Sequence, residues 1–255
     1  MTPPDQSSVT PTAASRPLIG RWWSAGIDAV FPPTCAACDT SLDTSEHGLL
    51  CKACRTEMVD ARPACPRCGS PAAPESCGQC REQRLHFGGV VRLGTYEKTL
   101  REAVLRIKRR EHRALAMALS ELLSNERREQ LIEWRLDAVV PVPMHWSRRL
   151  WRGVNSPSTI ARRLASDLKI PMADHLLARR RRTAPQARLS PRKRMANVRG
   201  AFRAATHHEL PGSRLLLVDD IMTTGATVNE AAKELVRAGA EFVAVAVVAR
   251  AANPA

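Results

Sequence analysis

At 255 residues and 44% hydrophobic content, the chain can bury one substantial core plus a smaller module. Lys and Arg number 39 against 25 Asp and Glu, and the resulting net charge of +14 favours polyanionic partners, nucleic acid among them, without bearing on fold. Aromatic residues make up only 4%, with Tyr96 the single tyrosine, which argues against extended base-stacking platforms.

Residues 1–17 are rich in Pro, Ser and Thr and lack both a basic start and an apolar core. They read as a disordered tail and not as a secretory leader. No apolar run approaches the roughly 18–20 residues needed to span a bilayer. The expectation is a cytoplasmic protein with no stable membrane insertion. Leu18, Ile19, Trp22, Trp23, Ile27, Val30 and Phe31 recur at near-helical spacing until Pro32-Pro33 ends the pattern. This segment is expected to pack on the body of the protein. With the cysteines that follow, it forms an N-terminal module over 18–84.

All eight cysteines fall into four Cys-x-x-Cys pairs: Cys35/Cys38, Cys51/Cys54, Cys65/Cys68 and Cys77/Cys80. Two intervening residues let both sulfurs of one turn face a single cation, and two such turns complete a tetrahedral S₄ shell around zinc. A disulfide framework lacks a secretory context, and a redox motif needs one pair, not four. One or two structural zinc ions are expected. Sequential pairing places Cys35, Cys38, Cys51 and Cys54 on one ion and the other four on a second; a cross-braced pairing fits the same spacing. Four thiolates per ion leave no open position for catalysis.

From residue 85 to 255 the chain alternates strands and helices. Strand patterns cover Gly89–Leu93, Ala138–Pro143, Leu215–Val218 and Phe242–Ala249. Helical patterns cover Leu100–Ile107, Ala114–Leu123, Ser158–Leu168 and Val228–Ala238, the last stopped by Gly239. The order predicts an α/β fold, a parallel sheet with flanking helices. Arg179 to Arg194 holds seven arginines and one lysine, broken by Thr183, Pro185, Gln186, Ser190 and Pro191, and reads as a loop more than a helix.

The most informative stretch is Leu215-Leu216-Leu217-Val218-Asp219-Asp220-Ile221-Met222-Thr223-Thr224-Gly225-Ala226-Thr227. An apolar run stops at two carboxylates, and a hydroxyl- and glycine-rich loop leads into a helix. Ligands of open α/β sheets bind at such strand ends. Amides from Thr223 to Thr227, at the positive end of the helix dipole, suit a phosphate. Asp219 and Asp220 would repel that phosphate but suit the hydroxyls of an attached sugar. The pattern predicts a ribose-5-phosphate pocket, although a solvated acidic loop fits it too.

This constellation resembles the signature of the type I phosphoribosyltransferases, whose ligand is phosphoribosyl pyrophosphate (PRPP). The resemblance implies that Asp219 and Asp220 contact the ribose hydroxyls and take the catalytic role. It implies equally that Thr223, Thr224, Gly225, Ala226 and Thr227 wrap the 5′-phosphate, with Mg²⁺ accompanying PRPP. Two further blocks resemble the ComF family of competence-associated homologues. One runs from Val140-Pro141-Val142-Pro143-Met144-His145 through Arg148, Arg149 and Arg152-Gly153; the other contains Arg182, Gln186, Arg194 and Asn197. With the cysteine pairs as a double zinc ribbon, the resemblance spans about Phe31 to Arg250. It implies that Met144, His145, Arg148 and Arg152 serve the pyrophosphate. Arg182, Gln186, Arg194 and Asn197 would then belong to a closing loop. Family members usually read Arg-Gly-Phe-Asn-Gln near Arg152, whereas Val154 and Ser156 stand here for the aromatic and the amide.

Two functions follow from the resemblance. The first is a Mg²⁺-dependent phosphoribosyltransferase linked to DNA uptake and natural competence. The second is a competence accessory protein that binds single-stranded DNA or machinery proteins and uses the fold to hold a ligand without turnover. No side chain declares itself as a general base for an acceptor.

Overall fold

The computed structural model describes residues 32–42, 48–71, 77–78, 80, 84–144, 155–181, 183, 190–205 and 210–252. The tail and the helix expected over 18–31 lie outside them. In chain order the elements are α1 (Lys52–Met58), β1 (Gly89–Thr95), α2 (Lys98–Arg106), α3 (Arg113–Glu126), α4 (Arg128–Glu133), β2 (Ala138–Pro141) and α5 (Ser156–Leu168). They continue with β3 (Leu177–Arg179), α6 (Pro191–Val198), β4 (Phe202–Ala204), β5 (Arg214–Met222), α7 (Ala226–Arg237) and β6 (Phe242–Arg250).

Four strands form a parallel sheet in the order β1-β6-β5-β2, while β3 and β4 pair antiparallel in a separate ribbon. Both sheet faces are covered, so the strands are apolar almost throughout. On one face Leu216, Val218, Ala244, Ala246 and Val248 meet Leu100 and Val104 of α2, Leu119 of α3, and Ile160 and Leu164 of α5. On the other, Leu215, Leu217, Val243, Val245 and Val247 meet Val228, Ala231 and Leu235 of α7 and Phe202 of β4. The period of two along β5 and β6 sorts these residues between the layers. Each fully buried aliphatic contributes about 1.5–3 kcal/mol, and the central strands owe their rigidity to that sum.

Two sequence expectations change. The central strand does not stop at Val218. It runs through both acids to Met222, because β6 goes on pairing with it: Asp219 faces Val247, Ile221 faces Ala249 and Met222 faces Arg250. Nor is the basic stretch wholly a loop. Arg179 ends β3, paired with Phe202, and α6 begins at Pro191. Proline is well placed in a first helical turn, where its missing N–H would have had no helical partner.

The cysteine-rich module docks on β1, which would otherwise be an open sheet edge. Asp60 N–H donates to Leu93 O (3.1 Å), and Val90 N–H donates to Pro66 O (3.0 Å). The Asp60 carboxylate then gathers Arg62 (2.8 Å), buried Arg92 (2.9 Å) and the Thr95 hydroxyl (2.6 Å). Burial alone would raise the Asp60 carboxyl, but the hydrogen bonds from Arg62, Thr95 and Arg92 outweigh it and hold the group well below the usual carboxylate range.

Asp60→Asn strands the Arg92 guanidinium in the interior and is expected to cost about 3 kcal/mol in chemical denaturation. Since folding lowers this carboxyl, its contribution is complete above about pH 4 and fades as the pH falls further. The gap between wild type and variant should therefore narrow in acid. An unchanged denaturation midpoint at neutral pH would show that the cluster does not hold the module.

Candidate functional site

The carboxyl end of β5 brings the acid pair, the Thr-Gly loop and the start of α7 to one corner. Gly225 takes φ +79, a left-handed conformation that L side chains avoid, and it turns the chain from the strand into the helix. The first helical bond of α7 runs from Asn229 N–H to Gly225 O (2.8 Å). Amides ahead of it are left to side chains or a ligand. Ala226 N–H reaches the Thr224 hydroxyl only at 3.4 Å. Along the same edge, Val142 N–H donates to Val218 O (2.8 Å), one residue before the acids, and the chain continues through Pro143 to half-buried Met144.

The acids sit in a strained electrostatic position. Asp219 Oδ1 accepts the Asp220 amide at 2.8 Å. The Asp219 carboxyl keeps a little solvent contact. Even so, the protein mass around it, and secondly the Asp220 charge, raise it far above the ordinary carboxylate range. Lys108 and Arg179 pull the other way. Lys108 Nζ lies 3.7 Å from Asp220 Oδ2. The turn that carries Lys108 is fixed from α5, where the buried Ser156 hydroxyl donates to Ile107 O (3.1 Å). Ser156 thus anchors this turn instead of lining a pocket.

Of the residues predicted from sequence, Asp219, Asp220, Thr223, Thr224, Gly225, Ala226 and Thr227 lie on the β5–α7 junction, and Met144 follows Val142, which bonds to Val218. His145, Arg148, Arg152, Arg182 and Gln186 lie outside the described residues. Arg194 and Asn197 belong to α6, which packs on α7, and the Asn197 carbonyl accepts from Arg181 Nη2 (2.9 Å). Lys108 and Arg179 were not singled out for the acid pair by sequence reasoning. Lys108 follows an amphipathic helix already rich in basic residues, so only its tertiary position distinguishes it.

The cysteines gather into two sets, Cys35/Cys38/Cys51/Cys54 and Cys65/Cys68/Cys77/Cys80, with all Sγ atoms of each set within 4.8 Å of one another. Pairing is sequential, and the cross-braced arrangement is ruled out. Tetrahedral zinc with Zn–S bonds near 2.3 Å needs sulfurs ~3.8 Å apart. The separations of Cys38–Cys51 (3.8 Å), Cys65–Cys80 (3.7 Å) and Cys68–Cys77 (3.4 Å) fit that shell. The first pair of each set closes in the same way. Cys35 accepts from Asp39 N–H and Cys65 from Gly69 N–H, both at 2.8 Å, with φ of 61 and 67 at the fifth residue. Burial, reinforced by neighbouring sulfurs, pushes the Cys54 and Cys68 thiols up. Hydrogen bonding to Thr40 pulls the Cys38 thiol the other way, down to about 6, so the sulfurs of one set do not share one proton affinity.

Two outcomes are expected. Asp219→Asn replaces a carboxyl that the fold holds at a cost. Its carboxyl is raised by folding, so stability falls as pH climbs through the shifted range. The ligand-free variant should melt ~2–4 °C higher than wild type at neutral pH, equivalent to about 1 kcal/mol; an equal or lower melting temperature would contradict the burial of this carboxyl. For the cysteines, elemental analysis should find two zinc ions per chain, one in Cys38→Ser, with proton release on uptake. A single ion in the wild type would contradict the two-centre geometry.

Comparison with known proteins agrees with this geometry. The double zinc ribbon domain family matches residues 26–82, and the phosphoribosyl transferase domain family matches residues 110–255. The DNA utilization protein YhgH of Salmonella typhimurium is 36% identical over 223 residues, covering 84% of this chain and 95% of that protein. Competence protein F of Haemophilus influenzae is 31% identical over 223 residues, covering 85% and 96%. Among solved structures, a purine phosphoribosyltransferase from Pyrococcus horikoshii Ot3 aligns at a TM-score of 0.32 and 15% identity, over 62% of this chain and 87% of that one, too loosely to bear on function. The protein belongs to the ComF family: a phosphoribosyltransferase domain carrying an N-terminal double zinc ribbon.

Proposed function

We propose that the protein binds PRPP with Mg²⁺ at the β5–α7 corner and serves DNA uptake. The observation that carries this reading is the junction itself. Two carboxylates lie close to the carboxyl end of a buried strand, and a left-handed glycine three residues past that strand opens the helix that follows. Thr223, Thr224, Gly225, Ala226 and Thr227 hold the 5′-phosphate, while Asp219 and Asp220 accept the ribose hydroxyls. Met144, His145, Arg148 and Arg152, on the segment that follows β2, would serve the pyrophosphate. Arg182, Gln186, Arg194 and Asn197 belong to the segment that would cover the ligand. Magnesium bound with PRPP would supply neutralisation of the ligand's negative charge near Asp219 and Asp220.

The same residues suit transfer at C1. As the bond from C1 to the departing pyrophosphate breaks, positive charge develops on the ring, and the acid pair beside it stabilises that charge until an acceptor's electron pair forms the new bond. Lys108, paired with Asp220, sets a positive charge beside that acid. The link to DNA rests on the names of the two relatives and on the net charge of +14, which suits a nucleic-acid strand. A role that holds PRPP without turnover draws on the same observations.

Calorimetry separates these activities. Wild type with Mg²⁺ should bind PRPP, and Asp219→Asn/Asp220→Asn should weaken that binding by ~100-fold or more. Binding of a short single-stranded oligonucleotide should survive the double variant and weaken steeply with salt. No heat from PRPP in the presence of Mg²⁺ would end the ligand assignment.

A further inference from the structure

Arg250, the last residue of β6, is fully buried at 0% exposure. Its guanidinium lies between the second cysteine set and the Thr-Gly loop. Nε donates to the carbonyl of Cys68 (3.2 Å). On the far side, Nη1 donates to the carbonyls of Met222 (3.2 Å) and Thr223, and to Ala251 O (2.8 Å). Cys68 is a candidate zinc ligand, and Thr223 opens the loop that the proposed function assigns to phosphate. One planar group therefore ties main chain at the second metal centre to main chain at the corner.

We propose that Arg250 is a positioning residue through which the Cys65/Cys68/Cys77/Cys80 centre sets the geometry of the loop from Thr223 to Thr227. Four thiolates around Zn²⁺ leave two net negative charges, which favour a buried guanidinium beside them. Arg92 adds a second cation at the same place. It is 3% exposed, and its Cδ lies 3.8 Å from the position a Cβ on Gly69 would take, one residue past Cys68. Metal loss frees the Cys68 carbonyl to move and removes that negative charge. Arg250 then keeps its loop contacts without its anchor, and the loop loses the fixed amides an anion needs. Lysine cannot replace the fork, since its ammonium is a single point of donation. The first cysteine set has a different attachment: Arg106 of α2 holds the Ala36 and Ala37 carbonyls. It should not act on the loop.

Hydrogen exchange of the full-length protein tests the coupling without any ligand. In Cys80→Ser, which disables the second centre, and in Arg250→Lys, amides 223–227 should exchange at least ~10-fold faster than in wild type. Amides of Leu215 to Val218 should not change, and Cys38→Ser, which disables the first centre, should leave the loop as in wild type. The coupling is overturned if loop exchange is unchanged in Cys80→Ser, or if the whole sheet accelerates equally. It is overturned also if Cys38→Ser loosens the loop as much. Should Arg250→Lys fail to fold, zinc withdrawal from wild type by a chelator gives the same readout. This inference rests on the proposed phosphate site only for its consequence, a ~10–100-fold weaker affinity for Mg²⁺-PRPP in Arg250→Lys. A loop that loosens in a protein that never binds PRPP would refute the ligand assignment and leave the coupling standing.

Discussion

Two neighbouring carboxylates at the end of a buried strand are the constraint around which this protein is arranged. Like charges so close, and largely removed from water, favour the neutral form of one of them. The fold answers with Lys108 on Asp220, with the Asp220 amide on Asp219, and with an Arg179 that opposes the shift from the β3–β4 ribbon. None of these cancels the repulsion. What remains is an acid pair that costs stability in the ligand-free protein, a cost that the hydroxyl donors and divalent cation of the proposed function would offset. Such local cost is characteristic of functional sites in otherwise well-packed domains.

The metal module solves a different problem. A four-stranded sheet that ends at β1 exposes a row of backbone donors and acceptors, and the segment joining the two cysteine sets covers that edge. The module is too small to bury a core of its own, so Leu42, Leu50 and Met58 join the core of the larger domain, and the Asp60 cluster and the two tetrathiolate sets add to that packing. Its attachment is polar and dense: Arg62, Arg92, Arg106 and Arg127 all bridge module and domain. Arginine suits these joints because its planar fork reaches carbonyls on two segments at once.

Much of this was legible in the sequence. Apolar runs with flanking helices gave the strands of the parallel sheet, since burial on both faces leaves an unbroken Val/Ala/Leu pattern such as Phe242–Arg250. The Cys-x-x-Cys spacing gave two tetrathiolate sets, and distance in the fold chose between pairings that spacing alone left open. Three things were hidden for physical reasons. The strand's passage through Asp219 to Met222 depends on β6, a partner remote in sequence. The short β3 and β4 are three residues each, too brief for periodicity to register. Lys108 and Arg250 look like ordinary basic residues at the ends of a helix and a strand. Only tertiary placement makes one the partner of Asp220 and the other a brace behind the loop.

The central claim is that amides at the start of α7 hold a sugar phosphate while Asp219 and Asp220 hold its ring. Amide chemical shifts of the ¹⁵N-labelled protein, titrated with ribose 5-phosphate and Mg²⁺, test it most directly. The account predicts saturable shifts centred on Thr224, Gly225, Ala226 and Thr227, with inorganic phosphate reproducing part of them. Shifts confined to the basic segment around Arg179–Arg194, with the Gly225 amide unmoved at saturation, would contradict it.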